Sequence, residues 1–336
     1  MSVKHPLKAL IVCHAGTGVG LGHLTRARVV ARALRQELDA QVHLLIQGDE
    51  VPLDAADALD YQFLPIQASL SDAIAAWARQ HNPQVLVFDL HPRQVPPDID
   101  TLLGGLRQRG HKLIAVDAMA DYSQSLDLVF IPSFQYTSKE PPVEPSKIVF
   151  GWDCFLLNVR QVPNPWRVGN NVLALSGGSD VTNLGQSWPS LLNAVLPLDS
   201  SLHWVTGPFA QQPAWPQSPR ISMCNHMAPA GLDALMVNAN YAVTVYGVSF
   251  FELLYYGVPT VVFSPYGSKD NAELQAIGEM GLALLADDEI DASAKLTTLM
   301  ADEHLSVDLS RRAREKLAVL GGHRFASHVA ALLEPH

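Results

Sequence analysis

The sequence predicts an α/β chain built from two doubly wound halves, and three observations carry that prediction. The chain has 336 residues, whereas single hydrophobic cores stop growing near roughly 250–300 residues, so two domains of similar size are expected. Short, nearly continuous apolar runs alternate with segments of helical periodicity, as in parallel strands covered on both faces. A proline-rich break then interrupts the alternation, which restarts after it. Composition agrees, since 48% hydrophobic against 17% charged residues excludes wholesale disorder.

In the first half Leu10–His14 reads as a buried strand. A helix follows from about His23 to Leu38, with Leu24, Val29, Val30, Ala33 and Leu34 on one face. Val42–Gln47 is the next strand. Ser71–Gln80 is a helix, with Ser71 as N-cap and Asp72 in the first turn. Val85–Asp89, Leu113–Asp117 and Leu128–Ile131 are three further strands, the first two ending in aspartate. Pro132 to Pro145 and Pro163 to Gly169 are polar, proline-containing breaks.

The second half reads as strand Val172–Leu175, helix Ser187–Leu196, strands Leu202–Val205 and Arg220–Cys224, helix Ala230–Asn238 and strand Tyr241–Thr244. Helix Ser249–Tyr256, strand Thr260–Phe263, helix Asn271–Met280 and a helical tail from about Ala292 complete it. The expected domains are 1–160 and 161–320, with 321–336 as a last helix that crosses back to the first domain. Paired domains of this kind bind ligands outside the carboxyl ends of their strands. They are expected to enclose a cleft that closes on the ligand.

Twenty-three basic and 33 acidic residues give a formal charge of −10, which argues against nucleic acid as a partner but leaves room for a local phosphate pocket. Cys13, Cys154 and Cys224 follow no metal-ligand or redox spacing, and so sparse a set suits a reducing cytosol. Ala9–Cys13 is too short for a signal-peptide core. No run approaches the roughly 18 apolar residues of a spanning helix. A cytoplasmic protein, with at most peripheral contact at the inner membrane, is expected.

Three segments carry chemistry. The first is Ala15-Gly16-Thr17-Gly18-Val19-Gly20-Leu21-Gly22-His23, between strand one and helix one. Glycines there allow close backbone approach and aim helix amides at an anion. The dinucleotide fingerprint G-x-G-x-x-G fails twice, at Leu21 and at His23, although Asp49 stands where a ribose acid would. A Walker loop fails for lack of Gly-Lys-Ser/Thr. His23 then opens the helix with Arg26 three residues on. An imidazole at a helix N-terminus is disfavoured in its charged form, hence available as a base; a plain capping histidine is the structural alternative. The second segment is Ser176-Gly177-Gly178-Ser179-Asp180, with Thr182 and Asn183, the counterpart of the first loop in the second half. It suits a phosphate or a sugar hydroxyl, or is simply a strand-to-helix turn. The third runs from Thr244 through Gly247, Val248, Ser249 and Glu252 to Gly257-Val258-Pro259. Ser249 is read as the cap of a new helix whose amides await a diphosphate. Glu252 is either the capping-box partner or a ribose ligand. Asp270-Asn271 opens a later helix, where ordinary capping is again the alternative.

Together, Gly20-x-Gly22-His23-x-x-Arg26, Gly177-Gly178-Ser179-Asp180-x-x-Asn183 and Gly247-x-Ser249-x-x-Glu252-x-x-x-x-Gly257-x-Pro259 resemble the GT-B nucleotide-sugar enzymes over nearly the whole chain. Within them the pattern is similar to the branch of the peptidoglycan N-acetylglucosaminyltransferase and the UDP-sugar hydrolase of pseudaminic acid synthesis. The resemblance implies two Rossmann-like domains facing across a cleft. It implies His23 as the base, with Gly20, Gly22, Arg26, Gly177, Gly178, Ser179, Gly247, Val248 and Ser249 at the nucleotide and diphosphate, and Glu252 on the ribose. Asp180, Asn183, Asp270 and Asn271 would lie at the donor sugar. The implied activity is metal-independent hexosyl transfer from a UDP-linked donor to a sugar, glycolipid or small-molecule hydroxyl in bacterial glycan synthesis, without a cofactor. The alternatives are hydrolysis of the same donor and a non-catalytic nucleotide-sugar-binding subunit.

Overall fold

The computed structural model describes residues 6–51, 53, 57–136, 144–229 and 231–334. The chain divides into two compact units, residues 1–158 with 319–336, and residues 159–318.

In the first unit the strands are β1 (Lys8–Ala15), β2 (Gln41–Gly48), β3 (Asp60–Leu64), β4 (Val85–Asp89), β5 (Lys112–Val116), β6 (Leu128–Phe130) and β7 (Ile148–Val149). They form one parallel sheet in the order β3-β2-β1-β4-β5-β6-β7. All five residues of β4 are buried, as near-continuous apolar strands of covered parallel sheets require. Helix α1 (Gly22–Leu38) buries Leu24, Ala27, Val30, Ala31 and Leu34, an i, i+3, i+7 stripe that faces a core. Helices α2 (Leu70–His81) and α3 (Ile99–Gln108) cover a core that includes Leu10, Val12, Leu86, Phe88 and Leu103. The cap of α2 is Ser69, whose side chain accepts the Asp72 amide. Ser71, the cap expected from the sequence, is instead buried and donates to Asp98 Oδ1 at 2.6 Å.

The second unit repeats the topology. Strands β8 (Asn171–Leu175), β9 (Ser201–Thr206), β10 (Ser222–Met227), β11 (Tyr241–Val245), β12 (Thr260–Phe263) and β13 (Leu284–Leu285) run parallel in the order β10-β9-β8-β11-β12-β13. Helices α4 (Trp188–Val195), α5 (Asp233–Asn238), α6 (Val248–Tyr256) and α7 (Asn271–Glu279) connect them. Ala230, expected to begin α5, lies outside the described residues. Trp188 anchors the core through edge-on ring contacts with Trp204 and Phe263. The expected helical tail is three helices, α8 (Glu289–Ala301), α9 (Glu303–Lys316) and α10 (Gly321–Leu333). Asp302 separates the first two by capping α9, accepting the Leu305 amide.

Helix α10 belongs to the first unit and packs on α1. Phe325 is fully buried, edge-on to Phe130 with centroids 5.2 Å apart. Gly321 donates its amide to the Phe155 carbonyl at 3.0 Å, and a Cβ there would lie 2.4 Å from the Cys154 backbone. Only glycine lets the chain return this closely. Among the described residues no helix is long and apolar enough to cross a membrane.

Candidate active site

In both sheets the strand order reverses between two central strands, β1 and β4 in the first, β8 and β11 in the second. Connections leave in opposite directions there, which opens a crevice at the carboxyl ends. The first two chemical segments follow β1 and β8, and the third follows β11.

The glycine loop after β1 is a tight knot. Gly16 and Gly20 exchange backbone hydrogen bonds at 3.2 and 2.8 Å, and Gly18 and Gly20 both have φ of +79°. The Thr17 amide donates to Asp49 Oδ2 at 2.7 Å. That bond holds the Asp49 carboxyl below its usual range. A Cβ on Gly16 would sit 2.7 Å from the same oxygen. Asp49, which the sequence places where a ribose acid would stand, therefore anchors the loop.

The loop delivers His23 and Arg26 to the end of β4. His23 Nδ1 lies 2.6 Å from Asp89 Oδ1. Arg26 grips the same carboxylate with both arms of its fork, Nε to Oδ2 at 2.9 Å and one terminal nitrogen to Oδ1 at 2.7 Å. The same terminal nitrogen reaches Asp117 Oδ2 at 3.0 Å, just beyond β5. Asp89 is 1% exposed. Burial alone would raise its carboxyl, but the Arg26 charge, and hydrogen bonds from Arg26 and His23, hold it below the usual range. Arg26 is correspondingly pushed up: burial works against its charge, and Asp89 and Asp117 outweigh burial.

An ionised Asp89 fixes the His23 tautomer. At 2.6 Å from a carboxylate oxygen, Nδ1 must carry the proton. The 3.0 Å approach of Arg26 to Nδ1 is then a contact between two donors and not a hydrogen bond. In the neutral ring Nε2 is left with its lone pair, the state a general base needs. The His23 side chain is 10% exposed.

Two further histidines line the same strand ends. His14, on β1, is fully buried. Its Nδ1 accepts the His91 amide at 2.9 Å, and Nε2 lies 3.3 Å from Gln47 Oε1 on β2. Nδ1 is thus the acceptor and Nε2 the donor. Protonation would forfeit the bond from His91. Burial, reinforced by His23 and His91, lowers His14 to about 4 despite the Gln47 bond and Asp89. The His91 ring stands edge-on to His23 with centroids 5.7 Å apart.

In the second unit Gly177 has φ of +90°, and a Cβ on Gly207, after β9, would lie 2.3 Å from the Gly178 carbonyl oxygen. The loop is therefore packed backbone to backbone. Ser179 is half-buried, Asn183 exposed and left-handed at φ of 55°. The Asp180 carboxylate accepts the Leu184 and Gly185 amides at 2.9 and 2.8 Å, so it shapes the loop from within.

Helix α6 starts from Gly247, an exposed residue in extended conformation with φ of 162°, and no side chain caps it. Ser249 is thus not the N-cap, and the capping-box reading of Glu252 falls with it, because the box needs the serine at the cap. Val248 and Ser249 form the first turn, whose amides remain open to an anion. Glu252 is buried on the same helix. Asp270 precedes α7 and accepts a hydrogen bond from Ser264 Oγ at 2.5 Å, while Asn271 is exposed.

The sequence sets His23 and Arg26 on one helix and ends two expected strands in Asp89 and Asp117, without showing that these residues meet. His14, Gln47 and His91 are not among the expected site residues. Each lies at the polar end of a buried apolar strand or just beyond it, and that position is the signal the sequence offers.

Neither a protein-family model nor a curated protein sequence matches the chain. Solved structures do. The glycosyltransferase of kitacinnamycin is 15% identical with a TM-score of 0.68, covering 98% of this chain and 99% of its own. Phytolacca americana UGT2, complexed with UDP-2fluoro-glucose and pterostilbene, is 12% identical with a TM-score of 0.63 over 98% and 100%. Acinetobacter baumannii MurG is 16% identical with a TM-score of 0.62 over 97% and 99%. The S. aureus MnaA–UDP co-structure matches at 11% and 0.62 over 97% of both chains. At such identities the likeness is one of architecture, and it establishes that this chain has the two-domain α/β fold of the GT-B glycosyltransferases.

Proposed function

We propose that the chain is a glycosyltransferase that moves a sugar from a UDP-linked donor to a hydroxyl acceptor, with His23 as general base. The observation that carries the reading is the His23–Asp89 pair at 2.6 Å, set at the strand-order reversal of the first sheet. A buried carboxylate that fixes the tautomer of a histidine at a ligand crevice is the arrangement of a base and its orienter. Nε2 takes the proton of the acceptor hydroxyl as its oxygen attacks the anomeric carbon. The bond from that carbon to the diphosphate breaks, and UDP leaves with the electron pair. Asp89 stabilises the imidazolium that forms.

The second unit is assigned the nucleotide. The uncapped first turn of α6 offers amides to the diphosphate, and these can offset leaving-group charge without a metal. Glu252 is assigned the ribose. Gly177, Gly178 and Ser179 are assigned the phosphate end, and Asn183, Asp270 and Asn271 the sugar. The fold likeness to nucleotide-bound glycosyltransferases supports this division. Asp180 and Arg26 are assigned supporting roles, since Asp180 is engaged within its own loop and Arg26 is held by Asp89 and Asp117.

The test is product analysis with a panel of UDP-sugars, with and without lipid or small-sugar acceptors and with EDTA. Acceptor-dependent, EDTA-resistant glycoside formation that falls by about 10²–10⁴ in His23→Ala is expected. Free sugar regardless of acceptor would make the enzyme a hydrolase that uses water at the same base. UDP-sugar binding without turnover would reduce the chain to a binding subunit.

A further inference from the structure

At the edge of the second sheet, three ligating side chains converge that the proposed reaction does not use. Strands β9 and β10 run parallel with Cys224 opposite His203 and His226 opposite Val205. Residues two apart on a strand share a face, so Cys224 and His226 project from the same side of β10, beside His203 of β9. β10 is the edge strand of its sheet. His203 Nδ1 and His226 Nε2 are 3.0 Å apart, with rings stacked at 5.3 Å and 22°. With Cys224 Sγ, the three ligand atoms all lie within 4.8 Å of one another.

We infer that this cluster binds a divalent transition ion of the zinc type through His203 Nδ1, His226 Nε2 and the Cys224 thiolate, with water in the fourth position. Tetrahedral zinc with Zn–N near 2.0–2.1 Å and Zn–S near 2.3 Å places its nitrogens about 3.3 Å apart and nitrogen from sulfur about 3.6 Å. The nitrogen pair is already at that spacing to within a few tenths of an ångström. Cys224 is exposed at the edge, and with its sulfur within 4.8 Å of both nitrogens it has to move inward by at most about 1 Å to meet that N–S figure. Two imidazoles and a thiolate suit zinc and discriminate against magnesium and calcium, which take oxygen ligands.

Without an ion, one ring donates its proton to the other across the 3.0 Å gap. On binding, that proton moves to the donor ring's other nitrogen, and the Cys224 proton is released to solvent. Affinity therefore rises with pH. The bound ion would tie the edge strand to its neighbour.

The site is tested on the full chain, reduced and stripped of metal, by titration with Zn²⁺ and Co²⁺. One equivalent of zinc should bind and raise the melting temperature. Cobalt should show a thiolate-to-metal charge-transfer band that Cys224→Ser abolishes. Cys224→Ser and His203→Gln should each weaken zinc binding by at least about 10–100-fold, while their metal-free melting curves match the parent and show that both variants fold. With 13 histidines in the chain, adventitious zinc is the rival. Binding that is unchanged in both variants, absent in the parent, or silent in the cobalt spectrum overturns the site.

Discussion

At the scale of single residues, Asp89 carries two functions on one carboxylate. It neutralises a buried arginine and fixes the tautomer of His23, and Asp89→Asn separates the consequences. An amide can donate to Nδ1, which would move the ring proton to Nε2 and, on the proposed function, remove the base. Turnover is expected to fall by about 10²–10⁴. The same change leaves Arg26 with Asp117 alone, and losing one partner of a buried pair costs about 3–5 kcal/mol. Kinetics and urea melts together check both. A turnover loss without destabilisation would mean that Arg26 finds another partner. His14 supplies a separate signal in pH. Its folded value of about 4 lies below the ordinary 6.5, so the unfolded chain takes up a proton first as pH falls. The stability is fully present above pH 6.5 and is lost toward pH 4, at most about 3 kcal/mol from this group. Urea melts across that window should show the slope, and His14→Gln should flatten it.

At the scale of elements, α6 makes the sharpest case. Its N-terminus lacks a side-chain cap, and a Cβ on Gly247 would meet nothing within 4 Å. Gly247→Asp should therefore cap the helix and stabilise it by about 0.5–1 kcal/mol. On the proposed function the new carboxylate would also occupy the diphosphate position, so UDP affinity should fall while the melting temperature rises. Both quantities rising together would remove the diphosphate from α6. Glu252→Gln, by contrast, should weaken UDP by roughly 10–100-fold, the loss of a charge-assisted bond worth about 1.5–3 kcal/mol. Calorimetry with UDP reads both variants. Element boundaries show what periodicity can and cannot reveal. β4 and β12 carry continuous apolar runs, Val85–Phe88 and Val261–Phe263, and match the expected strands residue for residue. β3 has exposed Asp60, Tyr61 and Gln62, and α3 contains Gly104 and Gly105, so neither shows its period. Ser69 and Gly247 outcompete Ser71 and Ser249 as caps because chain direction, unseen in a sequence, selects the cap. The His23–Asp89 pair spans 66 residues and needs the sheet order to be visible. The cysteines show no metal-ligand spacing in the sequence, and His203 comes beside Cys224 only through the β9–β10 register.

At the scale of the whole molecule, the chain's path makes the two units unequal in how they fold. Residues 159–318 are continuous and hold a closed core around Trp188, Trp204 and Phe263. The first unit is assembled from both ends of the chain, and α10 supplies Phe325, Ala326 and Val329 to its interior. Burying a phenylalanine of this kind is worth about 3–5 kcal/mol against alanine, a large share of the roughly 5–15 kcal/mol that holds a domain folded. Deleting residues 319–336 should therefore lower the melting transition of the first unit and leave that of the second in place. Phe325→Ala should reproduce part of the shift, and Gly321→Ala should reproduce it through the backbone clash at Cys154. The fragment 159–318 should fold alone and, on the proposed function, retain UDP binding without turnover. Differential scanning calorimetry of the deletion, with UDP to mark the second transition, checks the claim. If the deletion leaves the first transition where it was, α10 is an ornament on α1 and the first unit folds from residues 1–158 alone.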